Sequence, residues 1–284
     1  MRIIRVFPRR TTATPDDSLA FTTPPPKDLS KIAGIENINE VHISVAFSYD
    51  YPKAEQLAES WYKTGLPVNL PVKMGGPAFG VPGGDFVPGM YLKKGYVITS
   101  RGCNNSCWFC SAPKREGGLR ELPITKGHNV LDDNLLACSE NHIRAVFAML
   151  KQQSEKPIFT GGLEAKILQP WHVDLLREVK TRRFYCAYDT KDDYEPLVRA
   201  GKLLREGGIT QKSQTARCYV LIGYSGDTFE KAEKRLRDSW QAGFLPFAML
   251  YRNEQGEVLP DWAKFQRLWA RPHITYSKLK EVNF

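Results

Sequence analysis

The chain has no apolar run near the roughly 18 residues that a membrane-crossing helix needs. Its opening residues, Met-Arg-Ile-Ile-Arg-Val-Phe-Pro-Arg-Arg, carry neither the apolar core nor the small-residue cleavage site of an export signal. These two absences make a cytoplasmic protein without membrane contact the expectation. Cysteine is scarce, six in 284 residues, which excludes a disulfide scaffold. Blocks of like charge are also missing. The 40 Lys and Arg and the 31 Asp and Glu are spread along the chain, so the net charge of +9 favours polyanionic partners such as nucleic acid without marking a binding arm. What remains is ample for folding: 42% hydrophobic residues, and length enough for one large α/β domain with a small companion.

The rest is organised around residues 95–118, where Cys103, Cys107 and Cys110 form a Cys-x3-Cys-x2-Cys pattern. Tyr96, Val97, Ile98 and Thr99 precede it and read as a buried strand. Iron–sulfur clusters are normally held by four thiolates, so three would leave one iron of a cubane open for chemistry. A structural zinc site is the other metal reading, but it usually needs a second ligand pair further on, and none follows. Cys138, Cys186 and Cys218 stand singly among apolar residues and read as core thiols. The nearest dense positive charge is Lys114, Arg115 and Arg120, either solvated or holding an anion or the loop.

Three regions are expected, at 1–93, 94–258 and 259–284. In the first, Met1–Phe7 and Glu40–Phe47 read as strands, with the irregular Thr11–Lys31 between them. Residues 53–64 read as a helix carrying Ala54, Leu57, Ala58 and Trp61, stopped by Gly65. Pro67–Leu70 is a further strand candidate before Gly75-Gly76-Pro77. Residues 72–93 are rich in Gly and Pro, and Phe79, Phe86, Val87 and Met90 argue for a docked loop that could keep water from a reactive site.

From Lys94 onward strands and helices alternate. After Tyr96–Thr99, strands are expected at His128–Asp133, Pro157–Gly162, Arg183–Asp189, Arg217–Tyr224 and Pro246–Tyr251. Helices are expected at 139–152 (Ser139 capping), Trp171–Arg182, 193–206, after an Asp227-to-Glu230 capping box, and at Asp261–Ala270. Six βα units of this kind imply a parallel sheet with right-handed crossovers. The tail Arg271–Phe284, with Arg271, His273, Tyr276, Lys278 and Lys280, is either a cap or a substrate contact.

The cysteine spacing, with Phe109 just before the third cysteine, resembles the signature of the radical S-adenosylmethionine (radical SAM) superfamily. The resemblance covers about residues 94–252. It implies a partial (β/α)6 barrel with a small N-terminal Rossmann-like α/β region. It also implies a 4Fe–4S cluster on the three cysteines, S-adenosylmethionine chelated at the open iron, and a reducing partner such as a flavodoxin or ferredoxin.

The resemblance extends to the strand ends, where chemistry collects in parallel α/β folds. Asp132-Asp133-Asn134 is similar to an Asp-Asp-Asn segment of cobalamin-type members, so Asp133 and Asn134 become cofactor-binding candidates, with helix capping the alternative. Gly161, Gly162 and Glu164 look like the Gly-Gly-Glu segment, but Leu163 is inserted and the strand is the third where the second is usual. Asp189 faces the cofactor ribose or the substrate. Gly223-Tyr224-Ser225-Gly226-Asp227-Thr228 looks like the Gly-x-Pro-Gly-Glu-Thr segment, with Ser225 and Asp227 departing from it and Gly223 near the adenine.

The expected function is therefore reductive cleavage of S-adenosylmethionine and hydrogen abstraction from a substrate, with a nucleic-acid base or nucleotide suited to the charge and a peptide or small metabolite the alternatives. Residues 1–93 are similar to a shortened cobalamin-binding domain, so cobalamin-dependent methyl transfer is the alternative within this class. The cobalt-ligating Asp-x-His-x-x-Gly motif is absent, and His42 reads as a packed or paired strand histidine. A non-catalytic, metal-stabilised nucleic-acid-binding protein is the alternative from another class. Oligomeric state, substrate and catalytic residues stay open.

Overall fold

A computed structural model describes residues 1–32, 34–63, 70–253 and 255–281. They divide into a smaller unit, Met1–Val97 with Gly102–Gly118, and a larger one, Ile98–Arg101 with Leu119–Phe284.

The smaller unit is built on strands β1 (Ile3–Val6), β2 (Ala20–Phe21), β3 (Glu40–Ser44) and β4 (Val72–Gly75), with helix α1 (Tyr51–Tyr62). The strands are all parallel, in the order β2-β1-β3-β4. β1 is interior and buried at every position, as a strand covered on both faces should be. β3 alternates instead, placing Val41 and Ile43 in the core. α1 lays Ala54, Leu57 and Trp61 onto the same core.

Two expectations change here. The helix begins at Tyr51, two residues earlier than its apolar spacing suggested. The segment from 72, read as loop, opens with strand β4; at the sheet edge it is half-exposed and so lacks an apolar signal. Gly65 and the Pro67–Asn69 part of the expected strand lie outside the described residues.

The Gly/Pro-rich segment is tied down. The buried Arg5 pairs with Asp17 and donates to the carbonyls of Gly89 (2.9 Å) and Met90 (3.1 Å). β5 (Tyr96–Val97) and the short α2 (Ala112–Glu116) complete the unit.

The larger unit opens with an antiparallel pair, β6 (Ser100–Arg101) and β7 (Arg120–Glu121). Five βα steps follow: β8 (Asn129–Val130), α3 (Glu140–Lys151), β9 (Ile158–Phe159), α4 (Pro170–Glu178), β10 (Arg183–Ala187), α5 (Tyr194–Glu206), β11 (Ala216–Ile222), α6 (Phe229–Gln241), β12 (Leu245–Leu250) and α7 (Pro260–Trp269). The basic tail forms a last helix, α8 (Pro272–Glu281), packed on β12 with the Tyr276 ring edge-on to Trp240.

β8 to β12 are parallel and lie side by side in chain order. Among the described residues no pairing of β12 with another edge strand closes the sheet into a barrel. One sheet face is dry. Phe184, Cys186, Cys218, Val220 and Ala248 are at most 1% exposed. Phe159 stacks on Phe147 of α3, and Cys218 meets Ser239 of α6.

Several strands are shorter than their apolar runs. The N–H groups of Thr160 and Gly161 both donate to the Val130 carbonyl, at 3.0 and 3.1 Å, which ends the β8–β9 ladder. Ser139 caps α3 as expected, accepting from the His142 N–H. The capping box expected from Asp227 to Glu230 is displaced by one residue: Thr228 is the cap, accepting from the Lys231 N–H at 3.3 Å, because Asp227 is recruited inward by Arg235. Among the described residues no helix is long and apolar enough to cross a membrane.

Candidate functional sites

The cysteine loop belongs to the smaller unit. Gly102 opens it with φ +83°, and a Cβ there would lie 2.3 Å from the Gly118 carbonyl oxygen, so the loop's two ends cross where only glycine fits. Cys103 N–H reaches the Gly117 carbonyl (3.4 Å), and Cys110 N–H that of Cys107 (3.1 Å). The Asn105 N–H donates to Cys103 Sγ at 3.4 Å, a contact of the kind that tunes cluster thiolates.

Cys103 and Cys110 are half-buried and Cys107 is exposed. Phe109 packs edge-on to Trp108, which is 53% exposed. The buried Glu116 accepts from the Gly83 N–H (3.0 Å) and from Arg115 (2.8 Å), binding the loop's exit to the Gly/Pro-rich segment. Arg115 thus serves the loop itself.

Three thiols on one short, closed loop are a soft-ligand set suited to iron–sulfur or zinc. Among the described residues no three His, Cys, Asp or Glu side chains are drawn together as a ready cage. Cys138, Cys186 and Cys218 are buried, and desolvation pushes the thiols of Cys138 and Cys186 up to about 11 and about 12. Such thiols are inert at neutral pH.

In the larger unit the expected strand-end residues fall into three places. At the ends of β8 and β9, the Asn134 amide donates to Glu164 Oε2 at 2.6 Å, bringing together two residues that sequence alone leaves apart. Asp133 is half-buried at the same turn. Its neighbour Asp132 is a structural carboxylate: it accepts from the Thr99 N–H (2.6 Å) and from the hydroxyls of Thr99 and Ser100. Burial nevertheless pushes its pKa up, against those bonds. Gly161 makes its close approach to the chain itself, since a Cβ there would lie 2.1 Å from the Asp132 carbonyl oxygen. Gly162, at φ +97°, turns the chain so that Leu163 N–H reaches the Tyr185 carbonyl.

At the end of β10, Asp189 accepts from the Leu221 N–H at 2.8 Å. Desolvation, with the nearby Asp193 charge, raises its pKa from 3.8 to about 6. Asp193 is fixed by the N–H groups of Asp189 and Thr190. A carboxyl that changes charge near neutrality at a strand end suits proton exchange or hydrogen bonding to ligand hydroxyls.

The third place lies beyond β11 and β12. Gly223 (φ +75°) donates its N–H to Asp227 at 2.9 Å, and the buried Asp227 is paired with Arg235. Arg235 also donates to the Leu221 carbonyl at 2.8 Å, so this turn is clamped from α6. Gly223 and Ser225 border a cavity of about 590 Å³ whose other walls include Leu250, Tyr251, Asn253 and Trp262. That volume matches a small-molecule site.

Sequence reasoning reached Gly223 but missed Trp262, Asn253 and the Arg235 clamp. An Arg eight residues after an Asp in an amphipathic helix was the available signal. His42, read as packed or paired, bonds Glu40 and the Tyr91 hydroxyl, both at 2.6 Å. Compared with known proteins, the chain matches no family profile and no curated protein.

Proposed function

We propose that the protein is a radical S-adenosylmethionine enzyme. The observation that carries this reading is the glycine-closed loop presenting Cys103, Cys107 and Cys110, with Phe109 at the aromatic position. In it the three thiolates hold a 4Fe–4S cluster, and the alternating strands and helices from Tyr96 onward form a partial (β/α)6 barrel. The bound cluster supplies an electron for cleaving a sulfur–carbon bond of S-adenosylmethionine, which yields the hydrogen-abstracting 5′-deoxyadenosyl radical.

The chain's own residues bind and orient. The Asn134–Glu164 pair offers amide and carboxylate oxygens to an ammonium group. Asp189 accepts from ribose hydroxyls, and the Gly223–Trp262 cavity takes the adenine. The docked Gly/Pro-rich segment limits water access. A flavodoxin- or ferredoxin-like protein provides the electron, which places the enzyme in a reducing, cytoplasmic setting. The substrate class favoured by net charge is a nucleic-acid base or nucleotide.

The test is electron paramagnetic resonance of the anaerobically reconstituted, reduced protein. A cubane signal that changes on adding S-adenosylmethionine is expected. An iron signal indifferent to it, or zinc in place of iron, refutes the enzyme reading, and zinc with salt-dependent nucleic-acid binding promotes the non-catalytic alternative. The parallel sheet of the smaller unit is the feature that favours cobalamin-dependent methyl transfer. A cobalamin titration without spectral change removes that alternative.

A further inference from the structure

The larger unit's sheet has one dry face and one that is not. Opposite Phe184, Cys186, Cys218 and Val220 lie Arg183 and Tyr185 on β10 and Arg217 and Tyr219 on β11, because side chains alternate along a strand. The register sets Tyr185 beside Arg217 and Tyr219 beside Phe247. The two tyrosine rings stack at 4.0 Å, nearly parallel, and Phe247 meets both edge-on. Both guanidinium groups sit against the Tyr185 ring, Arg183 at 5.8 Å and Arg217 at 5.9 Å from its centroid. Arg183, Arg217, Tyr219 and Phe247 all stay partly accessible.

Two like charges have thus been brought together on one half-buried face. Among the described residues neither has a carboxylate partner. Among the described residues Arg217 meets the Gln214 carbonyl (3.4 Å) and the Tyr185 and Tyr219 side chains, with no anionic group. Arg183 Nε is buried with no hydrogen-bond partner among the described residues. Elsewhere in the unit the buried Arg235 has its carboxylate, Asp227. Burial pushes Arg217 down, and the charge of Arg183 adds to the effect. Half-buried cations without a counter-ion are costly to a fold and are the usual provision for an anionic ligand.

We propose that Arg183 and Arg217 bind a dianionic phosphate group, with the ligand's remainder lying along Tyr219 and Phe247. A phosphate monoester balances both guanidinium charges, whereas a carboxylate balances one, and the fork of each Arg fits phosphate oxygens. The site uses none of the strand-end side chains named above, although Tyr219 reaches the Thr160 carbonyl (3.4 Å), and it needs no iron or S-adenosylmethionine.

The test follows thermal unfolding of the full-length protein with inorganic phosphate, at ionic strength held constant with sodium acetate. Phosphate raises Tm beyond acetate, and Arg183→Gln and Arg217→Gln each weaken the response roughly tenfold or more. Arg183→Lys and Arg217→Lys, which keep the charge and lose the fork, serve if the Gln variants do not fold. The ³¹P linewidth of phosphate is then compared with wild type and the Lys variants. Adenosine 5′-monophosphate binding more tightly than inorganic phosphate marks a phosphorylated ligand, and equal binding marks free phosphate. A Tm that follows ionic strength alone, or a response unchanged in the variants, overturns the proposal and leaves the enzyme reading untouched.

Discussion

Replacing Asp189 by Asn should make the protein more stable at neutral pH, and the gain should vanish below the ordinary carboxylate pKa. Asp189 titrates near 3.8 in an unfolded chain and near 6 in the fold, chiefly because the fold removes water from its carboxylate. A raised acid pKa stabilises the folded state fully below about pH 4, where both states hold the proton. The contribution then falls as pH climbs through about 6, where the folded carboxyl also ionises. The difference corresponds to about 3 kcal/mol across that window. An Asn amide oxygen can still accept the Leu221 N–H but carries no charge.

At pH 7.5 the variant should therefore exceed wild type by about 1–3 kcal/mol, read as a Tm higher by roughly 2–4 °C per kcal/mol. At about pH 3, below both values, the two should nearly coincide. Anaerobic urea melts at four pH values between these limits measure this directly, and other titrating groups cancel in the difference. Curves for wild type and Asp189→Asn that run parallel across the whole window would sink the reasoning. A ligand hydroxyl donated to Asp189 favours its ionised form, so affinity for such a ligand should rise as pH increases through about 6.

Asp227→Ala leaves the buried Arg235 without its partner and should cost about 3–5 kcal/mol, measured by denaturant midpoint. Gly161→Ala places a Cβ against the Asp132 backbone, which is unable to yield as a side chain would. Destabilisation of about 1–3 kcal/mol or more is expected in the same assay, and a neutral substitution would contradict the close approach. In native, metal-free protein, iodoacetamide should modify Cys107 quickly and leave Cys138, Cys186 and Cys218 intact, as peptide mass spectrometry would show.

The alternation of strands and helices was legible because both periods are carried by apolar residues, as with Ile143, Val146, Phe147 and Leu150 on α3. Strand lengths were not. Apolar runs persist past the point where Thr160 and Gly161 turn onto one carbonyl, and that point depends on the neighbouring strand. β4 escaped notice because an edge strand buries too little to show a pattern. Asp227 and Thr228 are both good capping residues by type, and only Arg235, a turn-and-more away on α6, decides between them. The Asn134–Glu164 bond and the Arg183–Arg217 juxtaposition arise from register between strands distant in the chain, which no local pattern encodes.

The order of β8 to β12 follows the order of synthesis, so each new strand finds its partner already made. A nascent chain can add one strand–helix step at a time onto a growing edge, with no late insertion between strands already paired. The same order makes the outermost step the natural place for gain or loss during descent. The outer edge of β12, beside which the tail helix α8 rests, is then where another step would be added.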